Sequence, residues 1–496
     1  MKYNKKNIKK SSKIIEEKNK NNVLMYRNHG ASQVKTVYKD LKDELHSPDV
    51  DIGKAKKILM SRAREMYKGN SLGLGAIRKI RTNVVGPGLK LKSVIDNEIL
   101  GISSEEKEKL EKRIEKIWRM WAESTECDSA RFNNFYQLQS LVFITSLIDG
   151  ECFVLLPYRK REGELFELKV QLVESERCCN PLFYDTEKDI ANGIEINSLG
   201  EVEAYWFTND LYNYGKPRKW QRVEAFGKKT GRKNVLVVME KERIGQRRGI
   251  PLLAPVMEDI LQINRYTKAE LMAAVISAYF TVFIENNLED TEGYGLGDEP
   301  LEEKNQVDKK PYNYELGPGA ILDLAEGQKA TIADPKRPNT AFEGFVKAMA
   351  MQIGTALELP HDVLLSLFND SYSASRAALL EAWKMYKMRR NWFVYDFCTP
   401  VFEEWMDEAV ARGYINAPGY FENHLIRKAY LGCEWYGPTQ GQLDPLKEFT
   451  AAKIKVEQGF STRTKEAAEM NGTNYMDNMK QIKIEEKERE EVFPNE

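Results

Sequence analysis

ELPHDVLLSLFNDSYSASRAALLEAW, Glu358 to Trp383, is the stretch from which the rest of the chain is read. Pro360 lacks an N–H and its ring clashes with the preceding turn, so it cannot continue a helix running from Phe342 to Leu357. Asn369, Asp370, Ser371 and Ser373 favour loops and helix N-caps, and a new helix is expected to begin near Ser375. At about 100° per residue, Leu379, Ala382, Trp383, Tyr386 and Phe393 share one flank, while Arg376, Lys384 and Lys387 share another. Such a helix packs on protein along one side and presents positive charge elsewhere.

On the N-terminal side of this stretch, the pattern predicts a long helix over Leu252–Tyr279, about 42 Å at 1.5 Å per residue, with Pro255 tolerated in its first turn. The uncharged run Leu271–Ile284 is too short for the roughly 20 residues a membrane span needs, so it reads as a buried helix. Between the two helices lies Glu285–Lys310, with nine acidic residues against three basic ones and several glycines. Glu289, Asp290, Glu292, Asp298 and Glu299 are the candidate docking residues there, for a basic partner. Strand-like AILDL and KATIADP follow.

Further towards the N-terminus, residues 51–85 carry apolar residues at helical spacing and stop at Gly86-Pro87-Gly88. Helices are also expected over Ser103–Trp121, capped by Ser104, and over Asn134–Ile148. From about Glu151 the period shortens to that of strands: CFVLLPY, FELKVQLV, GIEIN, VEAYWF and NVLVVM are short β-branched or aromatic runs separated by turns. The order is that of an α+β region with a mixed or antiparallel sheet, not of a dinucleotide-binding unit. Towards the C-terminus, Val401–Gly413 and Pro445–Glu457 read as helices, and IKIEEKEREEV as a charged helix or frayed tail.

A chain of 496 residues has room for two to four domains. Lys+Arg 74 against Asp+Glu 75 leaves it close to neutral, so bulk charge does not make it a polyanion binder and contact with nucleic acid must come from local patches. Cysteines 127, 152, 178, 179, 398 and 433 form no CxxC pair, which favours reduced thiols. Residues 1–20 hold eight lysines and two glutamates without an apolar core; they read as a solvated arm rather than a secretory signal, or as an arm that touches DNA or neighbouring subunits.

Signals for chemistry are weak. GKKTG, Gly227–Gly231, lacks the glycine four residues before its Gly-Lys pair that a phosphate-binding loop requires, and reads as a basic hairpin turn. His29, His46, His361 and His424 have no second ligand at i+3 or i+4, so no metal site and no cofactor are proposed. His361-Asp362 is expected to help start the short helix containing Val363 to Phe368. No stretch isolates the buried carboxylate pair that acid–base catalysis needs.

Six stretches in succession resemble the lambda-like branch of tailed-phage portal proteins: GLGAIRKIRTNVVGPGLKLKS (Gly73–Ser93), DGECFVLLPY (Asp149–Tyr158), NGIEINSLGEVEAYWF (Asn192–Phe207), RIGQRRGIPLLAP (Arg243–Pro255), SYSASRAALLEAW (Ser371–Trp383) and LDPLKEFTAAKIKVEQGFST (Leu443–Thr462). The resemblance spans about residues 60–475. It implies a mostly helical α+β portal fold: an N-terminal arm over 1–40, a wing over 41–250, stem helices over 251–284 and 342–359, a clip over 285–341, a tunnel loop over 360–376, a following helix and wing over 377–440, and a helical crown or tail over 441–496. It implies a non-enzymatic ring, expected to have twelve subunits, at one capsid vertex, through which double-stranded DNA is packaged and ejected. Expected partners are the terminase large subunit, the head-tail adaptor, and the major capsid and scaffold proteins. The chain would reside in the virion, and in the host cytoplasm during assembly.

On this resemblance Asn369, Ser371, Tyr372 and Ser373 face DNA from the tunnel loop, while Arg376, Lys384 and Lys387 face either DNA or a neighbouring subunit. Ala374 departs from the family, where a second serine is expected. The rival readings are a nucleic-acid-processing enzyme with a carboxylate site and a shorter adaptor ring component.

Overall fold

A computed structural model describes residues 35–41, 44–182, 189–209, 219–278, 282–286, 328–332, 341–368, 371–441, 445–473 and 475–492. The expected helix over 51–85 is two helices, α1 (Pro48–Gly69) and α2 (Ser71–Val84). Asn70 separates them: its backbone is extended and its side chain accepts hydrogen bonds from the amides of Leu72 and Gly73, capping α2. The next long helix, α3 (Ser104–Ala122), is capped by Ser103 rather than Ser104. The Ser103 hydroxyl accepts from the Glu106 amide, and the Glu106 carboxylate accepts from the Ser103 amide, a reciprocal pair that the SxxE spacing permits only one residue earlier. Asn134 and Gln137 make the same arrangement at the start of α4 (Phe135–Asp149).

The strand region holds two antiparallel sheets. In the first, β2 (Glu151–Leu155) lies between β3 (Gln171–Val173) and β8 (Val235–Met239), with Phe153 opposite both Val173 and Val237. In the second, β4 (Asp189–Ala191), β5 (Ile194–Ile196), β6 (Val202–Thr208) and β7 (Trp220–Glu224) pair in sequence order. Phe153, Tyr205 and Phe207 pack between the sheets in a small core of their own. The Gly227–Gly231 turn is closed by an antiparallel bridge between Phe226 and Lys233. A separate ribbon pairs β1 (Lys90–Ser93) with β11 (Cys433–Tyr436), which draws the C-terminal half of the chain onto the N-terminal half.

The main core confirms that junction. Trp118 lies at 5.1 Å from both Trp121 and Phe135, 5.2 Å from Trp405 and 5.8 Å from Trp435, mostly edge-to-face. Aromatic pairs of this kind add about 0.5–1.5 kcal/mol each beyond their buried area. Trp405 belongs to α9 (Thr399–Ala411), so the predicted helix at Val401–Gly413 is part of this core.

Two of the quoted sequence blocks meet in the interior. Gly150, in the left-handed region at φ 85°, and Gly249 approach so closely that a Cβ on Gly249 would lie 1.8 Å from the Gly150 carbonyl oxygen. Beside them Glu151, fully buried, accepts hydrogen bonds from Ser175 Oγ, Arg248 Nε and the Gly249 amide, and lies 3.1 Å from Lys56 Nζ. Burial pushes the Glu151 carboxyl up, but Arg248 and Lys56 outweigh it and hold it at about 2. Four separate elements are thereby tied to one carboxylate.

The predicted Leu252–Tyr279 rod is shorter. A 3₁₀ turn at Ala254–Val256 precedes α5 (Met257–Ala278), about 33 Å long. Leu271–Ile284 is not a buried helix. Its described first half is the exposed end of α5, with Leu271, Met272 and Val275 open to solvent, and Val282–Ile284 lie in β9 (Val282–Asn286), antiparallel to β10 (Gln328–Ile332). The β-branched and aromatic residues Val282, Phe283 and Ile284 favour that strand. The AILDL stretch lies outside the described residues.

Beside α5 runs α6 (Phe342–Ala356). Tyr266 meets Phe342 and Phe345 at 5.5 and 4.7 Å, while Ala254 and Ala356 line one cavity, so the two helices are antiparallel. The last turns of α5 run on past Tyr266, the position that meets Phe342, the first residue of α6. After the short α10 (His424–Tyr430), α11 (Pro445–Glu457), α12 (Arg463–Asn471) and α13 (Tyr475–Val492) lie beyond the core, the last of which makes the charged tail a helix.

Candidate nucleic-acid interface

After Pro360 comes a five-residue helix, α7 (His361–Leu365), then Ser366 in a left-handed conformation. His361 begins this helix as expected, with Nε2 2.9 Å from Asp362 Oδ1; α7 ends three residues short of Phe368. Lys79 of α2 donates to the carbonyls of Val363 and Leu364 and to Ser366 Oγ, satisfying the orphan carbonyls at the end of α7. The sequence carries no local signal for Lys79, because its partners lie more than 280 residues away.

The next helix, α8 (Tyr372–Phe393), begins at Tyr372 and not near Ser375. Ser371 is extended and its Oγ accepts from the Ala374 amide at 3.4 Å, so the hydroxyl expected to face DNA caps the helix instead of standing free. Ser373 is exposed. Asn369 and the Tyr372 side chain lie outside the described residues, as do Glu289, Asp290, Glu292, Asp298 and Glu299.

The apolar flank behaves as its spacing predicts. Ala382, Trp383, Tyr386 and Phe393 are buried and Leu379 packs against them. Two further arginines of α8 are also taken inward. Arg390 donates to the carbonyls of Asn83, Val84 and Pro438, holding the end of α2 against the loop after β11; burial without a carboxylate partner lowers it to about 10. Arg389, 5% exposed, stands 3.6 Å from Glu240 and 3.8 Å from Glu358.

The basic flank is engaged within the chain. Arg376 Nη1 pairs with Glu448 of α11 at 2.5 Å, Lys387 lies 3.8 Å from Glu469 of α12, and Lys384 pairs with Glu381 on its own helix at 2.6 Å. The Lys384 and Lys387 pairs are largely solvated and worth about 0–1 kcal/mol each, whereas Arg376–Glu448 is partly buried. Together they offset the charge that this flank would offer to phosphates, and two of the three dock the C-terminal helices.

A single helix runs on from α8: a π turn at Val394–Cys398 leads into α9. Pro400 has no amide to give the carbonyl of Asp396, and the extra residue of the π turn accommodates that missing bond. Beyond it α9 buries Phe402 and Trp405 in the aromatic core.

Among the described residues no group of three His, Cys, Asp or Glu side chains is placed to hold a metal, and no helix is long and apolar enough to cross a membrane.

Residues 37–390 match the family described as phage portal protein, lambda family. The chain belongs to that family. The portal chain is 25% identical over 436 residues to portal protein B of Escherichia phage lambda, covering 84% of this chain and 81% of that protein. It is also 25% identical over 422 residues to a probable portal protein of Halomonas phage phiHAP-1, covering 82% and 76%. Among solved structures, a chain of the virion of a native gene transfer agent particle aligns with a TM-score of 0.44 and 12% identity, over 84% of this chain and 92% of that one. A chain of the neck of that particle, computed with C12 symmetry, aligns at 0.42 and 11%, over 84% and 98%. Membership rests on the family match.

The portal family is structural rather than enzymatic, which removes the carboxylate nuclease as a reading, and it makes the chain a virion component. The mostly helical architecture with small antiparallel sheets is that expected of a portal.

Proposed function

We propose that copies of this portal chain close into a ring of twelve at one capsid vertex, and that double-stranded DNA passes through its bore during packaging and ejection. The observation that carries the ring is the far end of α5, where Leu271, Met272 and Val275 are open to solvent beyond the point at which α6 packs on the helix. Burying such side chains fully is worth about 1.5–3 kcal/mol each, and a neighbouring copy is the partner that heterologous, closing interfaces supply. In this arrangement α5 and α6 are the stem, residues 285–341 the clip, 360–376 the tunnel loop, 441–496 the crown, and the two-sheet region with the aromatic core the wing.

The tunnel loop meets DNA through few, sequence-blind contacts. Many tight phosphate contacts would each release counterions and hold the duplex in place; a polar segment with Ser373 exposed in the first turn of α8 and Arg376 and Lys387 already paired imposes little of that retention. Asn369 and Tyr372 complete the DNA-facing set. Glu289, Asp290, Glu292, Asp298 and Glu299 form the acidic docking surface of the clip, received first by the terminase large subunit and later by the head-tail adaptor. Major capsid and scaffold proteins surround the wing, and assembly takes place in the host cytoplasm.

Negative-stain microscopy of the purified full chain tests the reading: rings with a central hole support it, and compact monomers at micromolar concentration oppose it. For the loop, Asn369→Ala with Tyr372→Ala leaves rings intact and changes DNA retention.

A further inference from the structure

A cavity of about 510 Å³ opens where α1, the Gly150 junction, the loop after β8, the end of α6 and the π turn meet. Its floor is apolar, with Leu59, Leu147, Leu252 and Phe393 among its walls. Its polar lining is unbalanced: Glu240, Glu242, Glu358 and Asp396 face a single cation, Arg389. Arg389 Nε and Nη1 make no hydrogen bond among the described residues, and the guanidinium stands between Glu240 and Glu358 without close bonds to either. Asp396, which the π turn places on the cavity wall, has no hydrogen-bond or ion-pair partner among the described residues. Lys241 and Lys233 act on it from outside the cavity. Burial pushes the Asp396 carboxyl up to about 6 and raises that of Glu240 as well. Half-buried carboxylates in this condition are stabilised by an ammonium group brought beside them.

Such groups are abundant near at hand. Residues 1–20 carry eight lysines and two glutamates, interspersed with Ile8, Ile14 and Ile15, a composition that matches an acidic rim above an apolar floor. The chain also emerges beside the cavity. Arg243 donates to Asp51 and to the His46 carbonyl, and Arg247 pairs with Asp49, so the start of α1 is fastened to the loop that carries Glu240 and Glu242. From there an extended segment gains about 3.3 Å per residue, and residues 1–34 have ample reach.

We propose that the lysine-rich N-terminal arm, residues 1–34, docks at the acidic rim of this cavity and brings a lysine ammonium between Glu240, Glu242 and Asp396. Because the rim draws on the wing loop, the end of α6 and the π turn, the docked arm fastens wing, stem and tunnel helix to one another.

Carbodiimide coupling of the full chain at low salt, read by peptide mass spectrometry, tests this. Isopeptide links are expected from lysines 2–20 to Glu240, Glu242, Glu358 or Asp396. The near-isosteric double variant Glu242→Gln with Asp396→Asn should lower their yield about tenfold. The link between Lys109 and Glu105 on α3, 2.7 Å apart, should be unchanged in both proteins and reports intact folding. Arm lysines coupling to carboxylates elsewhere, no arm links while Lys109–Glu105 forms, or an unchanged yield in the double variant would each overturn the proposal.

Discussion

The region around the aromatic core, proposed above as the wing, and the α5–α6 pair, proposed as the stem, treat the same kinds of residue in opposite ways. In the wing, Trp118, Trp121, Phe135 and Trp405 are buried to 1% exposure or less, and a fully enclosed carboxylate, Glu151, has two cations and three hydrogen bonds around it. In the stem, the first turns of α5 bury Met257, Ile260 and Ile263 in the main core, but Leu271 and Met272 further along are 63% and 57% exposed. The wing region therefore closes its own core, whereas the far end of α5 leaves apolar side chains open to solvent. That division suits a subunit whose folding precedes its assembly.

The largest expected effect tests the stem side of this contrast. Leu271→Asp with Val275→Asp places charge on the exposed face and should abolish rings in negative stain while leaving the thermal unfolding of the wing within about 2 °C, because neither side chain is part of the core. Rings that persist would break the comparison.

On the wing side, Arg248→Met leaves the buried Glu151 with Lys56 as its remaining cation and should cost about 3–5 kcal/mol in denaturant unfolding, with ring formation reduced only through lost folded protein. The same site sets an acid limit. Since the Glu151 carboxyl is held near 2 against an ordinary 4.5, its contribution is fully present above about pH 4.5 and is lost as the pH falls towards 2. Melting temperature measured from pH 5 to 3 should fall accordingly, and stability that rises across that interval would contradict the assignment.

The smallest effect sharpens the boundary between the two regions. Ser371→Ala removes the cap of α8 and should cost about 0.5–2 kcal/mol locally, visible as faster amide exchange at Ala374–Arg376. Ser373→Ala, which removes no cap, should leave that exchange unchanged and alter only DNA retention. If Ser371→Ala changes retention without changing exchange, its hydroxyl contacts DNA and the capping role is secondary.

Much of the fold was legible because it is written at short range. Pro360, the loop residues from Asn369 to Ser373 and the spacing of Ala382, Trp383 and Tyr386 announced a break followed by an amphipathic helix, and helix and strand periods marked most wing elements. Errors of register arose where a second local device competed. Asn70 could cap a new helix inside an apparently continuous one, and Ser371 could cap α8 four residues before Ser375. Site residues were less legible. The spacing that put Arg376, Lys384 and Lys387 on one flank held no information about Glu448 or Glu469, and nothing near Lys79 or Arg389 signalled their partners.

What the chain's letters determined by themselves were propensities that act over one or two turns: where helices and strands form, which flank of each is apolar, and the ordered motifs that mark the family. Tertiary structure alone decided which of those flanks are covered and which charges are spent. Lys56 meets Gly249 across 193 residues and Arg376 meets Glu448 across 72; burial and ion pairing depend on elements brought together only by the finished fold, whereas capping and periodicity depend on neighbours a few residues away.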